Sequence, residues 1–412
     1  KFKNKITVFG NTNYKRLLNL KYVNINIKKE FFNSQTKNYV TNFIKLERKH
    51  DSSIIEVHNR PSYIHIINSK IKNKILTLYF HNDPLSMDGS KTIEQRKKLL
   101  KTCYKIIFNS AWSKKRFLEG LENKFVNSNK LLIFYQSAQK GTLSLLQKKK
   151  KWITFVGKLN KAKGYDVFVK SITKILDKYI DWQAIVIGDE KREKIVLNHK
   201  KATILGFKKH QEVINIFKKT SITVACSRWE EPFGRTSLEA SANGCAVIIT
   251  NKGGLPETVT DAKILQNLNE KNLTKLIGGL IEDSATRRSL QRKSIKNFYL
   301  THKFVSKKID DYRSEKLFLN KAFFIKTSRK SLRILHVTNF NERLDGRLFF
   351  NTGRRINNGF IRLKHSVLEF SDRDIVSYYR NINDLNGSKR LNKKFIEVIS
   401  NYLPDIIIFG HA

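Results

Sequence analysis

Cysteine is too scarce and too scattered in this sequence to build a scaffold. Its three copies, Cys103, Cys226 and Cys245, form no C-x-x-C pair. That excludes a zinc ribbon and a disulfide framework and fits a reducing compartment. No run of about 18 apolar residues occurs, so no helical membrane span is expected, and no secretory leader pattern is visible. C-x-x-C…H-x-x-x-H fingers and aromatic RNP-like strands are also missing, so no dedicated nucleic-acid module is expected. Acidic residues are few: 35 Asp and Glu stand against 80 Lys and Arg, a net charge of +45. Two readings of that charge stay open. One is the lysine-rich drift of an AT-rich genome, with the lysines solvating the surface. The other is attraction to an anionic membrane face or another polyanion.

What is present is enough apolar residue, 40% of 412, for two to three globular domains. Short, mostly β-branched runs recur from end to end: KITVFG (5–10), SIIEVH (53–58), KILTLYFH (74–81), KIIFNS (105–110), KWITFVG (151–157), QAIVIGD (183–189), ATILG (202–206), ITVACS (222–227) and CAVIIT (245–250). They read as buried parallel strands. Helical patterns lie between them. Residues 164–178 carry apolar positions at Val167, Phe168, Ile172 and Ile175, and 211–219 and 236–243 follow the same period. This alternation predicts an α/β fold of doubly wound parallel sheets. A basic linker at 138–151 divides an N-terminal set of strands, 1–140, from a C-terminal set, 141–320. After a second break near 321–331 the pattern restarts over 332–412. There LPDIIIFGHA echoes DSSIIEVH at 51–58, each placing an acidic residue, a strand of isoleucines and then a histidine, His411 and His58. This is a weak internal repeat.

The densest chemistry lies at 228–259, RWEEPFGRTSLEASANGCAVIITNKGGLPETV. Pro232 and Gly234 end a strand, Thr236 or Ser237 can cap the next helix, and Glu231 and Glu239 fall on either side of the turn. One carboxylate then sits in a loop at the carboxyl edge of the sheet, where open α/β sheets bind ligands. The other sits in the first turns of a helix whose amides suit a phosphate. A glutamate in a helix's first turns is also an ordinary helix start, and spacing alone does not separate the two readings. A tight GGLPETV turn follows at the same sheet edge. In the second constellation, KWITFVG ends at Gly157, Lys158 and Lys163 flank a short loop, and Gly164 opens a helix. Two ammonium groups and a helix start at one strand end suit a diphosphate.

Together these segments resemble the retaining, family 4 or "group 1" glycosyltransferases, of GT-B architecture with two Rossmann-like domains. The matching residues are Gly157, Lys158, Leu159, Lys163 and Gly164. They continue with Glu231, Pro232, Phe233, Gly234, Glu239 and Ala240, then Gly253, Gly254, Pro256 and Glu257. The resemblance implies a donor-binding set of Gly157, Lys158, Lys163, Phe207, Phe233, Gly234 and Glu239. Lys158 and Lys163 would hold the donor diphosphate, Glu239 the ribose hydroxyls, and Phe207 would lie beside the base. Lys158 replaces the commoner arginine and so lacks its bidentate fork. Glu231 would contact the donor sugar at its anomeric carbon, and His81, in LTLYFHNDP, would stand beside the reacting sugar. His58 matches an earlier strand-end histidine. The implied activity is transfer, with retention, from a nucleotide-diphosphate sugar to a glycan or lipid-linked acceptor in cell-surface polysaccharide or lipopolysaccharide synthesis. It implies no cofactor, no obligatory metal and no nucleic-acid partner. The implied location is cytoplasmic, with peripheral contact at the inner membrane face. An alternative is a module that binds nucleotide sugar without turning it over.

The resemblance also sets apart the two ends of the chain. KITVFG matches the family's second strand, so the first strand, its glycine-rich loop and the first helix are expected to lie outside this sequence. Residues 332–412 resemble the start of another such domain, a partial third Rossmann-like segment. The simplest expectation is a piece of a tandem two-module protein. In the alternative, 332–363 packs back and supplies the missing strand.

Overall fold

Parallel strands build every sheet of this computed structural model, which describes residues 5–12, 20–25, 27, 34–50, 52–71, 74–126, 128–323, 331–340 and 351–410. The chain divides into two units, Lys1–Glu315 and Lys316–Ala412. The division lies just before the expected break at 321–331, and the expected domains 1–140 and 141–320, the latter up to Glu315, fall in a single unit.

The first unit begins with β1 (Thr7–Gly10), β2 (Lys21–Asn24), α1 (Gln35–His50), β3 (Ile54–His58), α2 (Pro61–Lys70), β4 (Ile75–Phe80), α3 (Ile93–Thr102), β5 (Lys105–Phe108), α4 (Ala111–Leu118) and β6 (Leu131–Ile133). Strands β3-β4-β5-β6 form one parallel sheet. Its core joins Ile55, Val57, Leu78 and Ile106 to Val40 and Ile44 of α1. β1 and β2 pair only with each other, and no ladder joins them to β3 among the described residues.

The chain continues with β7 (Lys150–Val156), α5 (Tyr165–Lys178), β8 (Gln183–Ile187), β9 (Ala202–Ile204), α6 (His210–Lys219), β10 (Thr220–Ala225), α7 (Arg235–Ala242), β11 (Ala246–Thr250), β12 (Lys263–Leu265), α8 (Glu270–Glu282), α9 (Ser284–Lys296) and α10 (His302–Phe323). The six parallel strands take the order β12-β11-β10-β7-β8-β9. Both faces are covered. Ile153, Phe155, Val224 and Ile248 pack under Phe168 and Ile172 of α5. Ile185, Ile187, Val247 and Ile249 pack under Val213 and Phe217 of α6. Burial on both faces explains why these strands read as continuous apolar runs. The four apolar positions expected on α5 are all buried. Because the chain starts in the middle, at β7, runs outward to β9 and returns to β10, the connections diverge between β7 and β10. A crevice opens at such a switch point, beyond the carboxyl ends of the two strands.

The second unit holds β13 (Arg333–Thr338), α11 (Thr352–Arg362), β14 (Ser366–Ser371), α12 (Asp372–Tyr379), α13 (Ser388–Tyr402) and β15 (Ile406–Phe409), with the parallel order β14-β13-β15. Both edges of β13 are paired inside this unit. That corrects the alternative in which 332–363 supplies a strand to the first unit, since a strand has only two edges to offer. His411 lies outside the described residues.

Candidate active site

The first wall of the crevice is the loop after β7. Gly157 ends the strand, and Asn160 caps the short turn Lys161–Lys163 by accepting from the Lys163 amide at 3.1 Å. Gly164 follows at φ 72°, and a Cβ there would lie 1.9 Å from the carbonyl oxygen of Cys226. Only glycine lets the two loops approach so closely. The second wall, after β10, is fastened to the first. The amides of Arg228 and Trp229 donate to the Ala162 carbonyl at 2.9 and 3.0 Å, and the Arg228 guanidinium forms a fork with Asp166. Lys163 Nζ then forms an ion pair with Glu231, across the switch point. Glu231 is held in turn by its own carbonyl, which accepts from the Gly254 amide at 2.6 Å. A Cβ on Gly253, at φ 59°, would fall 2.1 Å from that same carbonyl oxygen.

Glu239 lies one turn into α7, its carboxylate 8% exposed. Three donors converge on Oε1: His210 Nε2 at 3.0 Å, Arg235 Nε at 3.1 Å and Arg235 Nη2 at 2.7 Å. Oε2 has no partner among the described residues. Gly234, at φ 108°, occupies the N-cap of α7, and no side chain caps the helix. Lys158 is exposed and has no carboxylate in ion-pair reach among the described residues. Phe207 is 77% exposed just beyond Gly206, whose carbonyl accepts from the Gly188 amide at the end of β8. The arrangement offers an ammonium, uncapped helix amides and two carboxylates. That is a set of donors for a diphosphate and acceptors for hydroxyls.

At the carboxyl edge of the N-terminal sheet, His58 and His81 stack at 7°, with Nδ1 of His58 and Nε2 of His81 3.0 Å apart. Asn59 accepts from the His81 amide at 2.8 Å, and Asn109 donates to the His81 carbonyl at 2.8 Å. Burial, with His58 as a further cause, pushes His81 down from 6.5 to about 4, so the ring is neutral at physiological pH.

One expectation needs correction, the capping of α7, and two placements bear on the implied donor contacts. Phe233 does not line the crevice with its ring. It is 2% exposed and packs with Tyr135, Leu238, Phe298 and Leu300, because Pro232 and Gly234 turn the chain so that the phenyl closes the core below. Neither Thr236 nor Ser237 caps α7, since their hydroxyls donate to the carbonyls of Val156 and Gly234. Lys163 and Glu231, to which the resemblance gives the diphosphate and the sugar, are paired with each other, so a diphosphate would compete with Glu231 for the ammonium. Sequence reasoning also missed four partners: Arg235 and His210 on Glu239, Arg228 on Asp166, and Glu257. The Glu257 carboxylate accepts from the amides of Ala111 and Trp112, at 2.6 and 2.9 Å, at the start of α4. The Arg235–Glu239 pair has i,i+4 spacing and could have been found by it. The others are distant in sequence and left no local signal.

Comparison with known proteins fits this geometry. Residues 143–297 match the family model of glycosyl transferases group 1. Spore coat protein SA of Bacillus subtilis (strain 168) is 24% identical over 277 residues, covering 60% of this chain and 74% of that protein. The lipopolysaccharide core biosynthesis mannosyltransferase LpsB of Rhizobium meliloti (strain 1021) is 33% identical over 121 residues. That match covers 27% of this chain and spans about a third (34%) of the relative. Among solved structures, Anabaena Alr3699/HepE in complex with UDP-glucose superposes with a TM-score of 0.58 at 16% identity, covering 72% of this chain and 86% of that one.

Proposed function

We propose, from the premise that this chain is a glycosyltransferase of group 1 with the GT-B fold, that it moves a sugar from a nucleoside-diphosphate sugar bound at the β7/β10 switch point. The observation that carries the reading is the Lys163–Glu231 pair, which places a cation and a carboxylate side by side where both loops meet. The likeness to a structure solved with UDP-glucose supports a uridine donor. In this reading Lys163, Lys158 and the uncapped start of α7 take the diphosphate and stabilise its charge as it leaves. No metal is required for that role. Glu239 receives ribose hydroxyls on Oε2. Glu231, released from Lys163 by the diphosphate, faces the anomeric carbon as positive charge develops there. His81 stands on the opposite sheet edge, beside the reacting sugar. Transfer proceeds with retention to a glycan or lipid-linked acceptor, and the likeness to a lipopolysaccharide mannosyltransferase supports a cell-surface polymer as product. The net charge of +45 suits work against an anionic membrane. We read the second unit as a partial Rossmann-like segment of the same type.

One observation favours a second reading, binding without turnover: β1 and β2 stand apart from the sheet that carries His81. Incubation with a panel of radiolabelled sugar nucleotides separates the two. Release of free or transferred sugar, with the α-linked product of an α-linked donor identified by NMR, supports transfer with retention. Calorimetric binding of UDP-glucose with no release from any donor overturns the enzyme reading.

A further inference from the structure

The N-terminal sheet edge holds a polar network that the donor site does not explain. Glu56, on β3, is 16% exposed at its carboxylate and is gripped by the Arg313 guanidinium through Nε at 2.9 Å and through Nη2. Arg313 comes from α10, which returns from the donor half to the N-terminal sheet. Its neighbour Tyr312 meets Thr77 of β4 at 3.1 Å, hydroxyl to hydroxyl. Tyr79 donates to Glu56 Oε1 at 3.2 Å, and its ring stacks on His58 with centroids 4.4 Å apart. The second Glu56 oxygen lies 4.0 Å from His58 Nε2. His58 Nδ1 in turn faces His81 Nε2 at 3.0 Å.

Each ring nitrogen of a neutral histidine is either a donor or an acceptor, and the partner of one nitrogen sets the other. A carboxylate beside His58 Nε2 favours the proton on that nitrogen. His58 Nδ1 is then an acceptor, so His81 Nε2 must carry the proton between the two rings. His81 Nδ1 remains a bare lone pair, with no partner among the described residues and not sealed from solvent.

We infer that Arg313, Glu56 and His58 form a relay that fixes His81 as its Nε2–H tautomer, so that the ring meets its ligand as an acceptor, through Nδ1. Arg313 and Glu56 are positioning residues here, acting on His81 through His58. That the group donating to Nδ1 is a sugar hydroxyl rests on the transferase reading above, whereas the relay itself does not.

The charged and titratable groups around His58 are Glu56 on its own strand, Tyr79 on β4, His81 just beyond the end of β4 and Arg313 on α10, with Tyr312 packed beside Tyr79 and Asp310 beside Arg313 at 3.8 Å. Burial lowers His58, Glu56 opposes that and Arg313 reinforces it. The two partners therefore push in opposite directions, which gives the test its sign.

The test is a pH titration of the imidazole nitrogens of the ligand-free full chain, labelled with 15N-histidine and followed by long-range proton–nitrogen NMR. His58 and His81 are assigned by single replacement. In the wild-type protein His81 should show the Nε2–H pattern above pH 6. E56Q keeps the shape and removes the charge. It should lower the His58 midpoint by about 0.7 of a pH unit, the value for a unit charge 4 Å away in water. R313Q should raise the midpoint, and R313K should return it toward the wild-type value. If R313Q fails to fold, E56Q and the wild-type tautomer still decide the question. An Nδ1–H tautomer of His81, or a His58 midpoint indifferent to E56Q, overturns the relay. Because no donor or turnover enters the experiment, failure of the transferase reading leaves its outcome unaffected.

Discussion

Replacing Glu239 should separate binding from stability, because its protein partners are exposed while its carboxylate is not. The side chain is 8% exposed, whereas Arg235 and His210, the two residues that bond it, are 57% and 64% exposed. In Glu239→Ala those two side chains return to water and no buried donor is stranded. Ion pairs with such exposed partners contribute about 1 kcal/mol or less. The melting temperature should therefore fall by only a few degrees. The ligand loses much more. A carboxylate oxygen accepting from vicinal ribose hydroxyls makes charge-assisted bonds that contribute roughly 1.5–3 kcal/mol each. Loss of about 2–3 kcal/mol corresponds to UDP affinity reduced about 30- to 160-fold. Titration calorimetry with UDP, beside thermal melts of both proteins, measures the two quantities. The Glu239→Gln variant keeps the packing and should lose most of the same affinity. Unchanged UDP affinity in a folded Glu239→Ala protein would refute the reasoning, as would an affinity loss matched by collapse of the melting temperature.

Three further perturbations follow from the same geometry. Gly253→Ala places a methyl 2.1 Å from the Glu231 carbonyl at a φ of 59°; the loop must shift, so sugar release should fall at least about tenfold while far-ultraviolet circular dichroism stays native. Glu257→Ala removes the acceptor for the amides of Ala111 and Trp112 at the start of α4, whose N-cap is Ser110; chemical denaturation should show a loss of about 1–2 kcal/mol, and no loss would deny that these two bonds stabilise the fold. Acidification should destabilise the fold through His81. Its folded value, about 4, lies below the ordinary 6.5, so between those limits the unfolded chain binds a proton that the native chain does not. Stability is then lost as pH falls from 6.5 toward 4, and His81→Gln should flatten that part of the pH–stability curve.

The donor half was the more legible part of the chain. Its strands are buried on both faces and so read as apolar runs, and Gly157, Lys163 and Gly164 follow the run that became β7 and Glu231 the run that became β10, whereas spacing alone left Glu239, inside α7, an ordinary helix residue. Legibility stopped wherever the structure depends on pairing across long separations. Glu56 and Arg313 are 257 residues apart, and Glu257 and Ala111 are 146 apart. No local period carries either contact. The placement of the Phe233 ring was out of sight for a related reason. A motif marks where the chain turns, but which way a ring points within the turn is decided by the core it closes, here Tyr135, Phe298 and Leu300. The capping roles given to Thr236 and Ser237 failed because Gly234 itself took the N-cap, leaving their hydroxyls to bond nearby carbonyls.

A sugar nucleotide seated where Lys163 meets Glu231 would touch both side chains, each in a different way. The most direct measurement is sugar release from labelled UDP-glucose, or from whichever donor the panel identifies, by Lys163→Met and Glu231→Gln beside UDP affinity for each. Lys163→Met should weaken UDP binding about tenfold or more. Glu231→Gln should leave UDP binding within about threefold of wild type while sugar release falls at least about a hundredfold. Lys163→Met binding UDP as the wild type does, or Glu231→Gln releasing sugar at the wild-type rate, would contradict that seating.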